Sequence, residues 1–292
     1  MFKNRRTGLF LPTLNGAGQM GPLLAEVRAS GDFFDAKLAI DSHSTDGTVE
    51  MLHGAGFTVD TIEKADFSHG RVRKTGMEKL ETMDYVVMVT QDVQPSSGAF
   101  RTLAAFLDGH GRMISAYGRQ LVDPKQGNLF EARLRLFNYP DKSLVKSADS
   151  VPKPGFKATF QSNAFAIYRR SFVMELGNFP GDIQFAEDRY MATQAMLHGY
   201  QVGYCAEAVV YHQHNYTLRQ EYERFRNAGR FNRQYADMLS RFGAGEKEGM
   251  KYVMSELKYF ATHGHLLLIP QFVILNAARF LGYKIGNGST TN

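Results

Sequence analysis

A chain of 292 residues with an apolar fraction of 43% can bury one large core or two ordinary ones, which excludes disorder as its main state. Its single cysteine, Cys205, excludes an internal disulfide framework and a cysteine-built zinc module, and points to a reducing compartment. The formal charge of +5, from 34 Lys and Arg against 29 Asp and Glu, lacks the dense basic tracts of a nucleic-acid arm and fits an anionic small ligand or a membrane surface.

The amino-terminal apolar stretch is broken by Pro12 and Asn15 and leads to no small-residue cleavage site, so no signal peptide is read. Strand-like runs GLFLPTL, AKLAIDS, FTVDTIE and DYVVMVTQD then alternate with helical PLLAEVRA, TVEMLHGAG and RKTGMEKLETM. This series predicts an α/β fold with a mostly parallel sheet flanked by helices, in which ligands collect at the carboxyl ends of the strands. The polar residues at those ends are Thr13, Asn15, Asp41, Thr90, Gln91 and Asp92. Each alone also suits a turn or a helix cap.

From about Val122 to Phe160 the periodicity dissolves, as expected of a long functional loop or lid. FQSNAFAIYRRS reads as a strand, a helix is expected from Glu187 to about His198, and the strand YCAEAVVYHQH follows. Beyond Tyr216 the chain turns helical and arginine-rich, which sets a boundary near residue 217 between a domain of 1–217 and a helical region of 218–292. The last apolar stretch, Leu266 to Leu281, is interrupted by Pro270, Gln271, Asn276 and Arg279, and sixteen residues fall short of a bilayer span. A membrane interface, another subunit and the main domain are its alternative partners.

Three acids on different elements, Asp41, Asp92 and Asp188, stand out with the pair His212 and His214, which face one side if their strand continues through them. Carboxylate and imidazole beside phosphate oxygens suit magnesium or manganese. The chain has no compact HExxH hydrolase motif and no recognised nucleic-acid motif.

The ordered series LPTLNG, IDSHSTDGT, FSHGRVR, TQDVQP, YGRQL, FNYP, QSNAFAIYRR, FAEDRYMATQAMLHGY and VVYHQHNYTLRQEYERFRNAGRF, from Leu11 to about Phe231, resembles the inverting family 2 glycosyltransferases of GT-A fold, and within them the rhamnosyltransferase branch. The resemblance implies a nucleotide-sugar enzyme, with dTDP-rhamnose as donor and a saccharide or lipid-linked saccharide as acceptor in bacterial surface polysaccharide (O-antigen) synthesis. It implies Asp188 as the base that deprotonates the acceptor hydroxyl, with Glu187 beside it. Asp92 resembles the last acid of the family's DxD metal motif, and because Thr90 stands at the first acid, His212 or His214 would supply a further ligand. Thr13 and Asp41 resemble the nucleobase readers, with Asn15 and Gln91 on the donor side; His69 and Arg73 resemble groups near the pyrophosphate. Arg119 falls near the sugar, and Arg224 and Arg230 in a segment that closes over the diphosphate. Asp46 reads as a structural turn and cap residue. The alternatives are another donor such as a UDP-hexose, or a non-catalytic nucleotide-sugar binder. The expected place is the cytoplasm, peripheral on the membrane's inner face, with membrane contact and homo-oligomer formation as further partners.

Overall fold

The first four strands form where apolar and β-branched residues run together: β1 (Thr7–Thr13), β2 (Ala36–Asp41), β3 (Thr58–Thr61) and β4 (Tyr85–Val89). In the computed structural model, which describes residues 5–124, 128–149, 157–242 and 246–288, they pair in parallel in the order β3-β2-β1-β4. The sheet continues through β8 (Phe165–Arg169), β6 (Met113–Leu121) and β9 (Gln201–Tyr211) to β5 (Gln94–Pro95), and β7 (Leu144–Lys146) also pairs with β9. β8 runs antiparallel to β4 and β6, whereas β6 and β9 are parallel.

Strand side chains alternate between two buried faces, which is why these runs are apolar throughout. Leu9, Leu11, Val87 and Val89 pack with Leu23 and Leu24 of α1 (Gly21–Ala29), Leu52 of α2 (Thr48–Gly54) and Phe100 of α4 (Ala99–Asp108). Phe10, Val86 and Met88 pack on the other side with Val72 and Met77 of α3 (His69–Lys79), Val173 of α6 (Arg170–Glu175) and Met191 and Ala195 of α7 (Glu187–Leu197). The α/β class and the parallel half of the sheet are those expected.

The supposed loop of 122–160 contains a helix, α5 (Leu129–Asn138), capped by Asn128, whose side chain accepts from Glu131 N at 2.8 Å. It buries the ion pair Glu131 and Arg135 and packs Phe130, Leu134 and Phe137, spaced i, i+4, i+7, on the carboxyl-terminal helices. Residues 125–127 and 150–156 of that expected loop lie outside the described residues.

The carboxyl-terminal helices are α8 (Leu218–Gln234), α9 (Ala236–Ser240), α10 (Glu246–Thr262) and α11 (Ile269–Gly288). α8 begins at a capping box of Thr217 and Gln220, where the change of composition put it. α10 and α11 pack on α5 through Phe130, Phe260 and Phe272. The last apolar stretch is longer than its interruptions suggest. Leu266–Gly288 makes 23 helical residues that include an 18-residue window of mean hydropathy 1.5, by length and composition enough to cross a membrane. One face of it is nonetheless fixed to α8: a Cβ at Gly282 would lie 2.3 Å from the Tyr222 carbonyl oxygen and one at Gly286 2.0 Å from that of Arg226. Arg279 and Glu221 form a buried pair at 2.6 Å in the same seam.

Candidate active site

The carboxyl ends of β1, β2 and β4 and the head of α7 converge on one cleft, as the βα architecture requires. α7 starts from Ala186, a non-glycine residue held at φ 64°, which aims Glu187 and Asp188 from the first turn. Such left-handed backbone costs energy and persists at sites that need it. The two neighbouring carboxylates have different surroundings. Glu187 is buried against Arg73 at 2.7 Å and accepts from Asn163 Nδ2 at 2.9 Å. Burial alone would raise its pKa, but Arg73 and then His69 outweigh that and hold it low. Asp188 accepts from Asn163 N at 3.1 Å and from Arg189 N at 2.7 Å, with no cation paired to it among the described residues. Burial first, and Glu187 next, push its carboxyl up to about 7. Two adjacent acids with opposed protonation preferences make one a fixed counter-charge and the other a proton carrier.

His69, at the head of α3, faces Arg73 through Nδ1 at 3.2 Å. Burial lowers its pKa. Gly70 brings that helix close: its N–H donates to Ile183 O at 2.9 Å, and a Cβ would lie 2.0 Å from Pro180 O. Gly70→Ala should therefore cost about 2 kcal/mol by overpacking, visible as a lower urea midpoint; an unchanged midpoint would show that the 180–183 turn yields freely.

A second cluster lies beyond β4 and β9. Asp92 Oδ2 is 3.2 Å from His212 Nε2 and 3.4 Å from His214 Nδ1, and the three ligand atoms lie within 4.8 Å of one another. Although β9 ends at Tyr211, both imidazoles reach the same carboxylate, as the His-x-His spacing predicts. Gln120 Oε1 faces His212 Nδ1 at 2.9 Å, and Arg135 also donates to that oxygen. An amide oxygen can only accept, so Nδ1 carries the proton and the Nε2 lone pair of neutral His212 points at Asp92. Burial lowers the pKa of both histidines, His214 to about 3, which keeps them neutral and ligand-competent near pH 7. A lone pair set against a carboxylate, with buried Asp92 Oδ1 lacking a hydrogen-bond partner, is an arrangement that a cation satisfies.

One short segment joins the two clusters. Gln120 Nε2 donates to Ser162 Oγ at 2.8 Å, while the next residue, Asn163, holds Asp188 through its N–H and Glu187 through its amide. Gln120 appears in the sequence only as a polar residue without a role, and Asn163 only within a motif; their partners are distant in the chain.

At the β1 and β2 ends, Thr13 Oγ1 donates to Asp41 Oδ2 at 2.8 Å, and Ser44 bonds both Asp41 oxygens at 2.7 and 2.6 Å. Asn15 N donates to Ser44 Oγ at 2.8 Å and its Oδ1 accepts from Thr45 N at 3.0 Å. Asp46 behaves as the expected turn residue, accepting from Ala17 N at 3.0 Å and Thr48 N at 3.1 Å. Gln91 clamps Leu14 at both ends of its amide, 2.9 and 3.0 Å. Arg119 donates to Tyr139 O at 3.3 Å. Arg224 lies over the Tyr216 ring at 5.5 Å, and Tyr216 stacks on His214. Arg230 is exposed, about 240° around α8 from Arg224.

Residues 9–177 match the family model described as Glycosyl transferase family 2. The chain belongs to that family. This family 2 glycosyltransferase is 37% identical over 282 residues to the O-antigen chain rhamnosyltransferase RfbN of Salmonella typhimurium, covering 95% of this chain and 88% of that one. It is 36% identical over 251 residues to the O-antigen chain rhamnosyltransferase WbaN of Salmonella anatum, covering 85% and 78%. The mannosyltransferase PcManGT of Pyrobaculum calidifontis, solved in complex with GDP-Man and Mn2+, shares its fold with a TM-score of 0.65 at 14% identity, over 98% of this chain and 88% of that one. TarS 1-349 of S. aureus does so with a TM-score of 0.59 at 17% identity, over 95% and 81%. The fold is thus the GT-A arrangement that the motifs suggested.

Within the transferase, several of the expected donor-side residues also bond to the protein itself. Arg73 is 2% exposed and pairs with Glu187 at 2.7 Å. Gln91 Nε2 and Arg119 Nε each donate to a backbone carbonyl. Arg230 stands apart from the cluster that Arg224 joins.

Proposed function

We propose that this glycosyltransferase moves L-rhamnose from dTDP-rhamnose, with inversion, to a saccharide or lipid-linked saccharide acceptor in O-antigen synthesis, at the cytoplasmic face of the membrane. The observation that carries the mechanism is the Asp188 carboxyl, raised to about 7 beside an Arg73-paired Glu187. The named activity of relatives 36% and 37% identical supports the sugar.

Asp188 takes the proton as the acceptor oxygen bonds to the anomeric carbon, and the bond from that carbon to the donor phosphate oxygen breaks on the opposite face with its electron pair leaving on the diphosphate. Glu187 stays ionised against Arg73, which keeps the negative field that favours protonation of Asp188. Asn163 fixes the direction of both carboxylates. Asp92, His212 and His214 would hold a divalent cation, magnesium or manganese, whose charge offsets that of the diphosphate when bound. Thr13, Asn15 and Asp41 form the loop set against the nucleobase, and His69 and Arg224 are the cationic or polar groups left on the donor side.

The test is nucleoside diphosphate release from a panel of nucleotide sugars, with and without magnesium or manganese. Metal-dependent release of dTDP from dTDP-rhamnose is expected. Turnover confined to a UDP-sugar, or larger thermal stabilisation by UDP than by dTDP, would overturn the donor assignment.

A further inference from the structure

Asp188 has a cation as its next neighbour in the chain, and the fold draws that cation elsewhere. Arg189 is 5% exposed, and its backbone N–H donates to Asp188 Oδ1 at 2.7 Å. Its guanidinium bonds to other elements. Nε donates to Thr159 Oγ1 at 3.1 Å and Nη1 to Asn232 Oδ1 of α8 at 2.5 Å, with the guanidinium carbon 5.9 Å from the centre of the Phe231 ring. These partners are neutral, although an arginine buried so deeply is ordinarily paired with a carboxylate. Burial brings its pKa down to about 10, so it stays charged near pH 7.

The hold on Arg189 comes from the carboxyl-terminal helices. A guanidinium can only donate, so the Asn232 amide turns its oxygen to Arg189 and its nitrogen to the Tyr283 hydroxyl of α11, at 2.6 Å. Close backbone approach fixes the place of Tyr283: a Cβ at Gly229 of α8 would lie 2.2 Å from its carbonyl oxygen. Phe231 and Leu239 pack with Ile183, Ala186 and Tyr190, which seats α8 and α9 against the head of α7.

We propose that the Tyr283–Asn232–Arg189 chain is a positioning device: it draws the guanidinium to α8, keeps a cation off Asp188, and so leaves that carboxylate the proton acceptor that transfer needs. The proposal rests on the reading of Asp188 as the base and adds residues of the carboxyl-terminal helices to it. Deprived of the Asn232 oxygen, the buried cation turns its charge on the carboxylate beside it. An opposite charge within about 4–6 Å lowers a carboxyl pKa by about 1–3. The other charges around Asp188 are the same in wild type and variant. Glu187 pairs with Arg73, which His69 also faces. The phenols of Tyr117 on β6, Tyr168 on β8 and Tyr139 after α5 feel the Asp188 charge, and burial first of all raises their pKa values above the ordinary 10.

The test follows the Asp188 carboxyl of the full chain by carbon-13 NMR, its resonance assigned by absence from Asp188→Asn, alongside kcat/KM against pH. Asn232→Leu is expected to move the titration midpoint down by about one pH unit or more from about 7, and the acid limb of kcat/KM with it. The plateau of kcat should drop about three- to tenfold, because a weaker base accepts a proton less readily. Asn232→Asp keeps an oxygen against Arg189 and accepts from the Tyr283 hydroxyl, so its midpoint should stay at or above that of wild type. Tyr283→Phe frees the Asn232 amide to turn and should give a smaller downward shift than Asn232→Leu. It decides the matter where Asn232→Leu fails to fold.

An unchanged or raised midpoint in the variant so tested overturns the proposal. So does a downward shift in Asn232→Asp equal to that in Asn232→Leu, which would mark loosened packing in place of a released charge. A merely structural role lowers the melting midpoint and leaves the titration where it was. The titration needs no turnover: if the midpoint falls while the rate profile stays, the hold on Arg189 stands and the assignment of Asp188 as base fails.

Discussion

Asp188→Asn is expected to lower kcat by about 10²- to 10⁴-fold, the usual contribution of a positioned general base, while dTDP affinity stays within about twofold. The same change should alter how stability depends on pH. A carboxyl held at about 7, against an ordinary 3.8, is favoured as the neutral acid by the fold. Its stabilising contribution is complete below about pH 3.8 and is lost as pH rises through 7. Asparagine does not ionise. The stability of Asp188→Asn relative to wild type should therefore grow between pH 5 and pH 8 by on the order of 2 kcal/mol, whatever fixed cost follows from replacing an acceptor oxygen beside Asn163 N with an amide nitrogen. Urea unfolding of both proteins at the two pH values measures this, and a difference that does not grow would mean that Asp188 is an ordinary ionised carboxylate. The wild-type pH profile follows the same cause. kcat/KM should climb with unit slope below about 7 and level off above it, because the base must be unprotonated before the acceptor arrives.

How much of this was legible in the sequence depended on whether a residue's partner is near it in the chain. The parallel half of the sheet was readable because strands buried on both faces must be apolar runs, and their polar ends mark the cleft. The His-x-His pair was readable because strand periodicity fixes its geometry, and both imidazoles do meet Asp92. α5 was passed over although Phe130, Leu134 and Phe137 mark one face of it, because the segment around it is rich in prolines and has no long clean period. α4 carried a helical stripe in Phe100, Leu103, Ala104 and Leu107 that the pattern of alternating runs passed over. The donor-side charges fared worst. A sequence displays Arg73 and Glu187 as two charges near a site, but only the tertiary packing of α3 against the head of α7 shows that they neutralise each other. Asn163 and Gln120 share that difficulty, since uncharged amides acquire meaning solely from the groups they hold.

Asp92→Asn is expected to abolish metal-dependent turnover by about a thousandfold or more, since it removes the one carboxylate of the cation cluster and several kcal/mol of leaving-group stabilisation with it. Gln120→Leu should be milder and more informative. Gln120 makes no contact with the reacting groups; it fixes the His212 tautomer so that Nε2 presents its lone pair, and it ties Ser162, next to Asn163, to the same cluster. Loss of such an outer hydrogen bond typically weakens metal binding about 10- to 100-fold. The change should appear as a larger manganese concentration for half-maximal dTDP release and as weaker manganese binding by calorimetry, with kcat recovering at saturating metal. Arg135 keeps its partner Glu131 in this variant, so collapse of the region is not expected. A purely structural role predicts the opposite split, a lowered kcat and melting midpoint with unaltered metal affinity. If Gln120→Leu binds manganese like the wild type, or Asp92→Asn retains full affinity, the cation site lies elsewhere and the acid–imidazole cluster serves only to order the end of β9.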